Sequence, residues 1–396
     1  ALSTSYLTAM RTKPFLLLAG ISGTGKSRIV KQMAFESCPD IPALRSDKTA
    51  PGNYELIEVK PNWHDSSELL GYESEIGGPH YVVTPFVRFL VKAMRYPDVP
   101  FFVCMDEMNL APVEQYFAEF LSVLESRKLL SDGTITSEPL IKADIFSKYA
   151  DQLHRDLDIT DTETYKAVYD RLKNDGLRLP SNLIVVGTVN MDDTTHQFSR
   201  KVIDRAMTIE MNGGNLSAMF GGSKNLEYLE DEAEQQKWQN AFTQRYISAD
   251  EVLEAHPQEA ETIMEKLPER LNELNKALKG TPFEVSYRVL NELTIMVGVL
   301  LDDNEEGKSI DDIINQAVDN ILLMKILPRI EGDADMFAIK KKDVQYDNRL
   351  KWLESIAPDI SKDGEEEEKE SKQTAREKIH EMIERLDNQE FTRFWP

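Results

Sequence analysis

At 396 residues, 41% of them hydrophobic, the chain is long enough for two or three domains with a sizeable core. Acidic residues outnumber basic ones 69 to 46, and the formal charge of −23 repels polyanions at long range, so any nucleic acid must meet a local basic feature or a different chain or domain. No apolar run reaches roughly 18 residues, which excludes a membrane-spanning helix; with only Cys38 and Cys104, neither a disulfide framework nor a zinc cluster is supported, and a soluble protein of the reducing cytoplasm is expected.

In chain order, Phe15 to Ala19 reads as a buried strand that runs into a glycine-rich turn, and Ser27 to Glu36 as the helix after it. The sequence begins with Ala and reaches that turn almost at once, which points to a natural N-terminal domain ahead of it. Tyr54 to Val59 is a second strand, Phe86 to Met94 a helix, and Phe101 to Met105 an apolar run typical of parallel sheets covered on both faces. A helix is expected from Pro112 to Arg127, with Pro at its start, and a hairpin around Ser131-Asp132-Gly133-Thr134 between Leu129 and Leu140. The polar, helical stretch 142–174 reads as an insertion (141–176 with its margins). Leu183 to Val189 is a further buried strand, Phe198 to Ile203 a short helix and Met207 to Met211 a last strand.

After Asn212 the pattern turns helical, behind Gly213-Gly214 and Gly221-Gly222. The expected organisation is an α/β domain over 1–212, a helical lid over 213–345 with helices at Val285 to Leu301 and Ile313 to Leu327, and a charged linker with a docked helix over 346–396. The run Glu365 to Glu368 is the linker, and Ile379, Met382, Ile383 and Leu386 share one helical face behind it. Phe391 to Pro396 carries more apolar mass than a free tail.

Three strand ends carry the chemistry. Gly20-Ile21-Ser22-Gly23-Thr24-Gly25-Lys26-Ser27 matches the phosphate-binding loop in full and has the strand and helix the motif requires. Backbone N–H groups of Gly20, Ser22, Gly23, Thr24 and Gly25 wrap phosphates, Lys26 reaches the β and γ phosphates, and the Ser27 hydroxyl ligates Mg²⁺. Asp106 and Glu107 end an apolar strand, where the first can hold Mg²⁺ and the second can polarise the attacking water. Asn190 ends another, placed to orient that water, with a turn cap as its plainer reading. Past it, Arg205 is a candidate arginine finger offered to a neighbouring subunit, against a surface pair with Asp204; Arg200 is the reserve.

Asp106-Glu107-Met108-Asn109, Thr188-Val189-Asn190-Met191-Asp192-Asp193 and the stretch Ser199 to Arg205 together resemble the McrB branch of AAA+ P-loop NTPases, and Pro61-Asn62-Trp63-His64-Asp65 with Leu69-Leu70-Gly71-Tyr72 strengthens the likeness. The similarity runs from about Lys13 to Met211 and returns at Phe391-Thr392-Arg393-Phe394-Trp395. It implies an AAA+ parallel-sheet domain with a C-terminal helical lid, and hydrolysis of GTP or ATP with Mg²⁺. It also implies a ring, commonly a hexamer, a McrC-type nuclease partner, and DNA engaged through the ring or a preceding domain. Ser286-Tyr287-Arg288-Val289 resembles the lid helix that carries a second sensor, so Arg288 would contact the γ-phosphate in cis. Arg205 is followed by Ala206 where the family has consecutive arginines, so the base stays open. Two other readings stay open as well: a MoxR-like ATPase that remodels protein, for which the acidic surface is suited, and a nucleotide switch, against which the intact Asp106-Glu107 pair argues.

Three features lie outside this scheme. Trp63, Asp65 and Tyr72 face either a partner or, for Trp63, the core. The histidines show no metal spacing, and His196 is a distant candidate for sensing nucleotide. The run Lys340 to Lys342 is too short to argue for DNA binding.

Overall fold

The computed structural model describes residues 4–20, 25–191, 198–211, 225–243, 245–341, 344–360 and 373–396. Helix α1 (Thr4–Thr12) leads into strand β1 (Phe15–Gly20) and helix α2 (Lys26–Ser37); β2 (Tyr54–Glu58), α3 (Pro85–Arg95), β3 (Phe101–Asp106), α4 (Ala118–Glu125), β4 (Leu183–Asn190) and β5 (Met207–Met211) follow. The five strands pair in the order β5-β1-β4-β3-β2, and every ladder is parallel. Successive side chains of a strand point to opposite faces. Leu16 and Leu18 therefore join one buried cluster with Ile29, Val30 and Met33 of α2, while Phe15, Leu17 and Ala19 join another with α3 and α4. Both faces of the sheet are covered, which is why its strands read as unbroken apolar runs rather than alternating ones.

Beyond β5 the described elements are mostly helical: α5 (Glu232–Thr243), α6 (Ala260–Leu278), α7 (Tyr287–Asp302), α8 (Ile310–Ile321), α9 (Arg349–Ile356) and α10 (Ala375–Gln389). The α2 face of the sheet continues without a break into Leu293, Met296, Ile313 and Ile321 of these helices. The expected fold class, an α/β parallel sheet followed by a helical part, is the one observed. Helix α10 docks as its periodicity predicts, burying Ile379, Met382, Ile383 and Leu386. The tail behind it folds back, since Phe391–Arg393 pairs antiparallel with Glu331–Asp333 and Phe394 is buried beneath the Lys378 ammonium.

Three segments depart from the periodicity. The helix expected over Pro112 to Arg127 breaks at Phe117 into Val113–Tyr116 and α4, because the Phe117 backbone (φ −111°, ψ 0°) turns its ring to stack on Phe120 and pack against Phe15. The helix expected over Ile313 to Leu327 starts at Ile310 and leaves the α ladder after Ile321 for a π turn, Leu322–Ile326. Pro328 follows it and has no N–H to continue the ladder. The hairpin is Lys128–Leu129 with Ile135–Thr136, while Pro139–Ile141 pairs instead with Leu177–Arg178 and closes the base of the insertion.

The insertion helices grip a second hairpin, Tyr72–Ser74 with His80–Val82. Glu73 accepts from Lys148 Nζ (3.0 Å) and Tyr149 Oη (2.8 Å), and the Gln152 amide bonds both backbone groups of Tyr81. Trp63 is in the core, its ring edge-on to Tyr116, whereas Asp65 is exposed and Tyr72 half-exposed on the hairpin. These three do not form one cluster. The charged run Glu365 to Glu368, the glycine pairs after Asn212, His196 and Lys342 lie outside the described residues.

Candidate functional site

The carboxyl ends of β1, β3 and β4 lie side by side, and the predicted polar groups stand at or just beyond them. Gly20 of β1 stands opposite Asn190 of β4, and a Cβ on Gly20 would lie 2.8 Å from the Met211 carbonyl, so the close approach of β5 leaves room only for glycine there. Ile21, Ser22, Gly23 and Thr24 lie outside the described residues. Gly25 takes up the chain at φ +72°, a left-handed conformation that suits glycine, and α2 starts at Lys26 with Ser27 in its first turn.

The Lys26 side chain is buried, and its Nζ donates to Asn190 Oδ1 at 3.0 Å. The Asn190 amide donates in turn to Glu107 Oε1 at 3.1 Å. One asparagine thus bridges the cation of the phosphate loop and the carboxylate of the next strand end. Asp106, one residue earlier, is held differently: Thr188 Oγ1 donates to its Oδ1 (3.1 Å) and accepts from the Glu107 backbone N–H (2.9 Å). Glu107 adopts φ +52°, unusual outside glycine and a conformation that persists only where its surroundings impose it. Its surroundings are a turn, Met108–Leu110, packed so close to β4 that a Cβ on Gly187 would meet Met108 Sδ at 2.4 Å, with the Met108 carbonyl held by Tyr116 Oη.

Two residues of this site carried no role in the sequence reading. Thr188 is a hydroxyl in an otherwise apolar strand. Asn109 is buried beside the acidic pair, where its amide donates to the Asn190 carbonyl (3.0 Å) and its oxygen faces the Asn190 N–H (3.4 Å). The signal for Thr188 was a polar residue in a run that buries both faces. For Asn109 the motif itself was visible but its partner, 81 residues away, was not.

Arg205 and Arg288 are not brought to this cluster. Arg205 precedes β5 and therefore sits at the amino edge of the sheet, the length of β1 away, roughly 17 Å at about 3.3 Å per residue. Its Nε lies 3.8 Å from Glu125 at the end of α4, and Arg288 Nη1 lies 3.6 Å from the other oxygen of the same carboxylate. Asp204, the plainer partner considered for Arg205, pairs instead with Arg329 at 2.9 Å. The reserve arginine, Arg200, lies over the Phe283 ring.

The donor set that would hold Mg²⁺ is the Ser27 hydroxyl with the Asp106 carboxylate, hard oxygen ligands of the kind this ion takes; Thr188 leaves one Asp106 oxygen free of its own hydrogen bond.

Residues 236–391, less than half of the chain, match the family model described as a domain of unknown function (DUF8727). No curated protein matches the sequence. Among solved structures, a "putative ATPase" from Cytophaga hutchinsonii is similar at 14% identity over 82% of this chain and 79% of that one, with a TM-score of 0.43. So loose a superposition leaves the fold assignment to rest on the strand order.

Proposed function

We propose that the chain is a Mg²⁺-dependent nucleoside triphosphatase whose subunits complete one another's sites. The observation that carries this reading is the Asn190 bridge between Lys26 and Glu107: it supports a γ-phosphate and an attacking water on either side of one amide. Lys26 would neutralise the β and γ oxygens and Glu107 would accept the proton of the water that Asn190 orients. Mg²⁺ on Ser27 and Asp106 would offset the charge that develops on the phosphate oxygens. Neither Arg205 nor Arg288, the arginines expected to stabilise the departing charge, stands at this edge in its own chain. A chain whose Arg205 stands a strand's length from its own Lys26 is suited to lend it to an adjacent copy, which supports a closed ring, by the resemblance a hexamer.

The finer reading, supported by the motif resemblance alone, is the McrB-type motor of a modification-dependent restriction system. It would use GTP or ATP, pair with a McrC-like nuclease and act on DNA. The net charge of −23 favours the second reading, a MoxR-like ATPase that remodels protein.

Phosphate release from GTP and ATP, with Mg²⁺, across a protein concentration series tests all of this. Turnover per subunit that rises with concentration supports shared sites. A GTP preference favours the McrB-type motor and an ATP preference the remodelling branch. Turnover that is independent of concentration and unchanged in Glu107→Gln would refute the catalytic assignment.

A further inference from the structure

We infer that Glu125 is a positioning residue for the finger: its carboxylate gathers Arg205 from the sheet and Arg288 from the helical part into one two-arginine hook aimed at the nucleotide of an adjacent copy. The inference rests on the trans role proposed for Arg205.

The Glu125 carboxylate is shared three ways. Lys13 Nζ lies at 3.3 Å, within hydrogen-bond range, whereas Arg205 at 3.8 Å and Arg288 at 3.6 Å stand at ion-pair distance only. Arg205 spends one donor on the Lys201 carbonyl (3.1 Å), and its buried Nε has no hydrogen-bond partner among the described groups. Glu125 therefore fixes where the guanidinium groups stand at ion-pair distance; with the Arg205 Nε buried, a phosphate oxygen from outside would meet its Nη groups. Arg288 is half-exposed and Arg205 a quarter exposed, so a ligand from outside can reach both.

Beneath the hook lies a buried ionic frame. Glu292, one turn after Arg288 on the same face of α7, pairs with Lys13 (2.9 Å) and with Lys325 (3.1 Å). Lys325 is fully buried in the π turn, and its ammonium donates to the carbonyl of Ala206, the residue next to Arg205 (2.9 Å). A π turn inside a helix often marks a functional position, and here it presents a buried cation to the backbone beside the finger. Both arginines are thus anchored to one triad at their backbones and meet one carboxylate at their heads. Arg288, expected from the resemblance to serve its own nucleotide, shares its carboxylate with Arg205 instead.

The test uses the full chain and four variants. Glu125→Gln keeps the shape and removes the charge, and Glu125→Asp keeps the charge on a shorter arm. We expect Glu125→Gln to lower kcat roughly 10–100-fold, with KM and the affinity for a fluorescent nucleotide analogue unchanged, and Glu125→Asp to recover part of the loss. Mixed with Glu107→Gln subunits, whose fingers are intact, the Glu125→Gln subunits should regain turnover. Arg205→Ala mixed in the same way is the control. If Arg205→Ala is rescued and Glu125→Gln is not, Glu125 acts within its own subunit and the inference falls while the trans finger stands. If neither is rescued, the trans finger itself falls. A Glu125→Gln loss that appears in nucleotide affinity rather than in kcat also overturns the positioning role.

Discussion

The two edges of the sheet place polar groups by opposite means. At the carboxyl edge, Lys26, Asn190, Glu107, Thr188 and Asp106 are linked by single hydrogen bonds of 2.9 to 3.1 Å, and Glu107 remains exposed. At the amino edge, Lys13, Glu292 and Lys325 form a triad that is almost wholly out of water. The first arrangement can exchange its partners for a ligand at little cost, since each bond is modest in net terms. The second cannot, because removing one member strands a charge in a medium that solvates it poorly. Burial works to raise the Glu292 carboxyl, yet Lys325 and Lys13 hold it below the usual range; burial pushes Lys325 down to about 8 against the pull of Glu292. Arg127 and Arg245, half-buried nearby, are pushed down to about 10 and about 9 by partial loss of water, Arg245 further by Arg127 itself. One edge can exchange its partners and the other holds its own.

That contrast can be broken at either end. Glu107→Gln should have the largest effect, a loss of turnover of roughly 10³-fold in phosphate release with nucleotide binding retained. Lys325→Met should above all cost stability, about 3 kcal/mol in chemical denaturation, because Glu292 keeps only Lys13. If Lys325→Met proved neutral, the triad would not be the frame described. Asn190→Ala removes both halves of the bridge and should lower kcat roughly 10²-fold with a small change in melting temperature. Thr188→Val leaves the Glu107 N–H without its acceptor and should cost about 1–2 kcal/mol in thermal unfolding.

The smallest expected effect is in pH. The folded Lys325 releases its proton near pH 8 and the unfolded lysine near 10.5, so between those values the unfolded state holds more protons. Stability of the parent relative to Lys325→Met should therefore rise with pH across that window, by at most about 1.4 kcal/mol per pH unit. Urea titrations of both proteins at pH 7.5 and 9.5, taken at about those values to bracket the transition, would show it. A gap that stayed flat with pH would mean that Lys325 keeps its proton.

What could be read from residues alone was what repeats locally or carries a motif. The five strands, α2, α3 and the docked face of α10 follow from apolar runs and helical spacing, since burial on one or both faces writes a period into the chain. The phosphate loop and the Asp106-Glu107 pair were legible because each is contiguous. The break at Phe117 and the π turn were not, because each is decided by a tertiary partner: the aromatic stack around Phe15 in one case, the buried ion frame in the other. Thr188, Asn109 and Glu125 were silent for the same reason, as their partners lie 80 or more residues away along the chain. A hydrogen bond or ion pair between distant residues leaves no period in a single sequence. The parallel register of the sheet sets which strand ends meet, and the packing of helices α4 and α7 against it sets which arginines share a carboxylate.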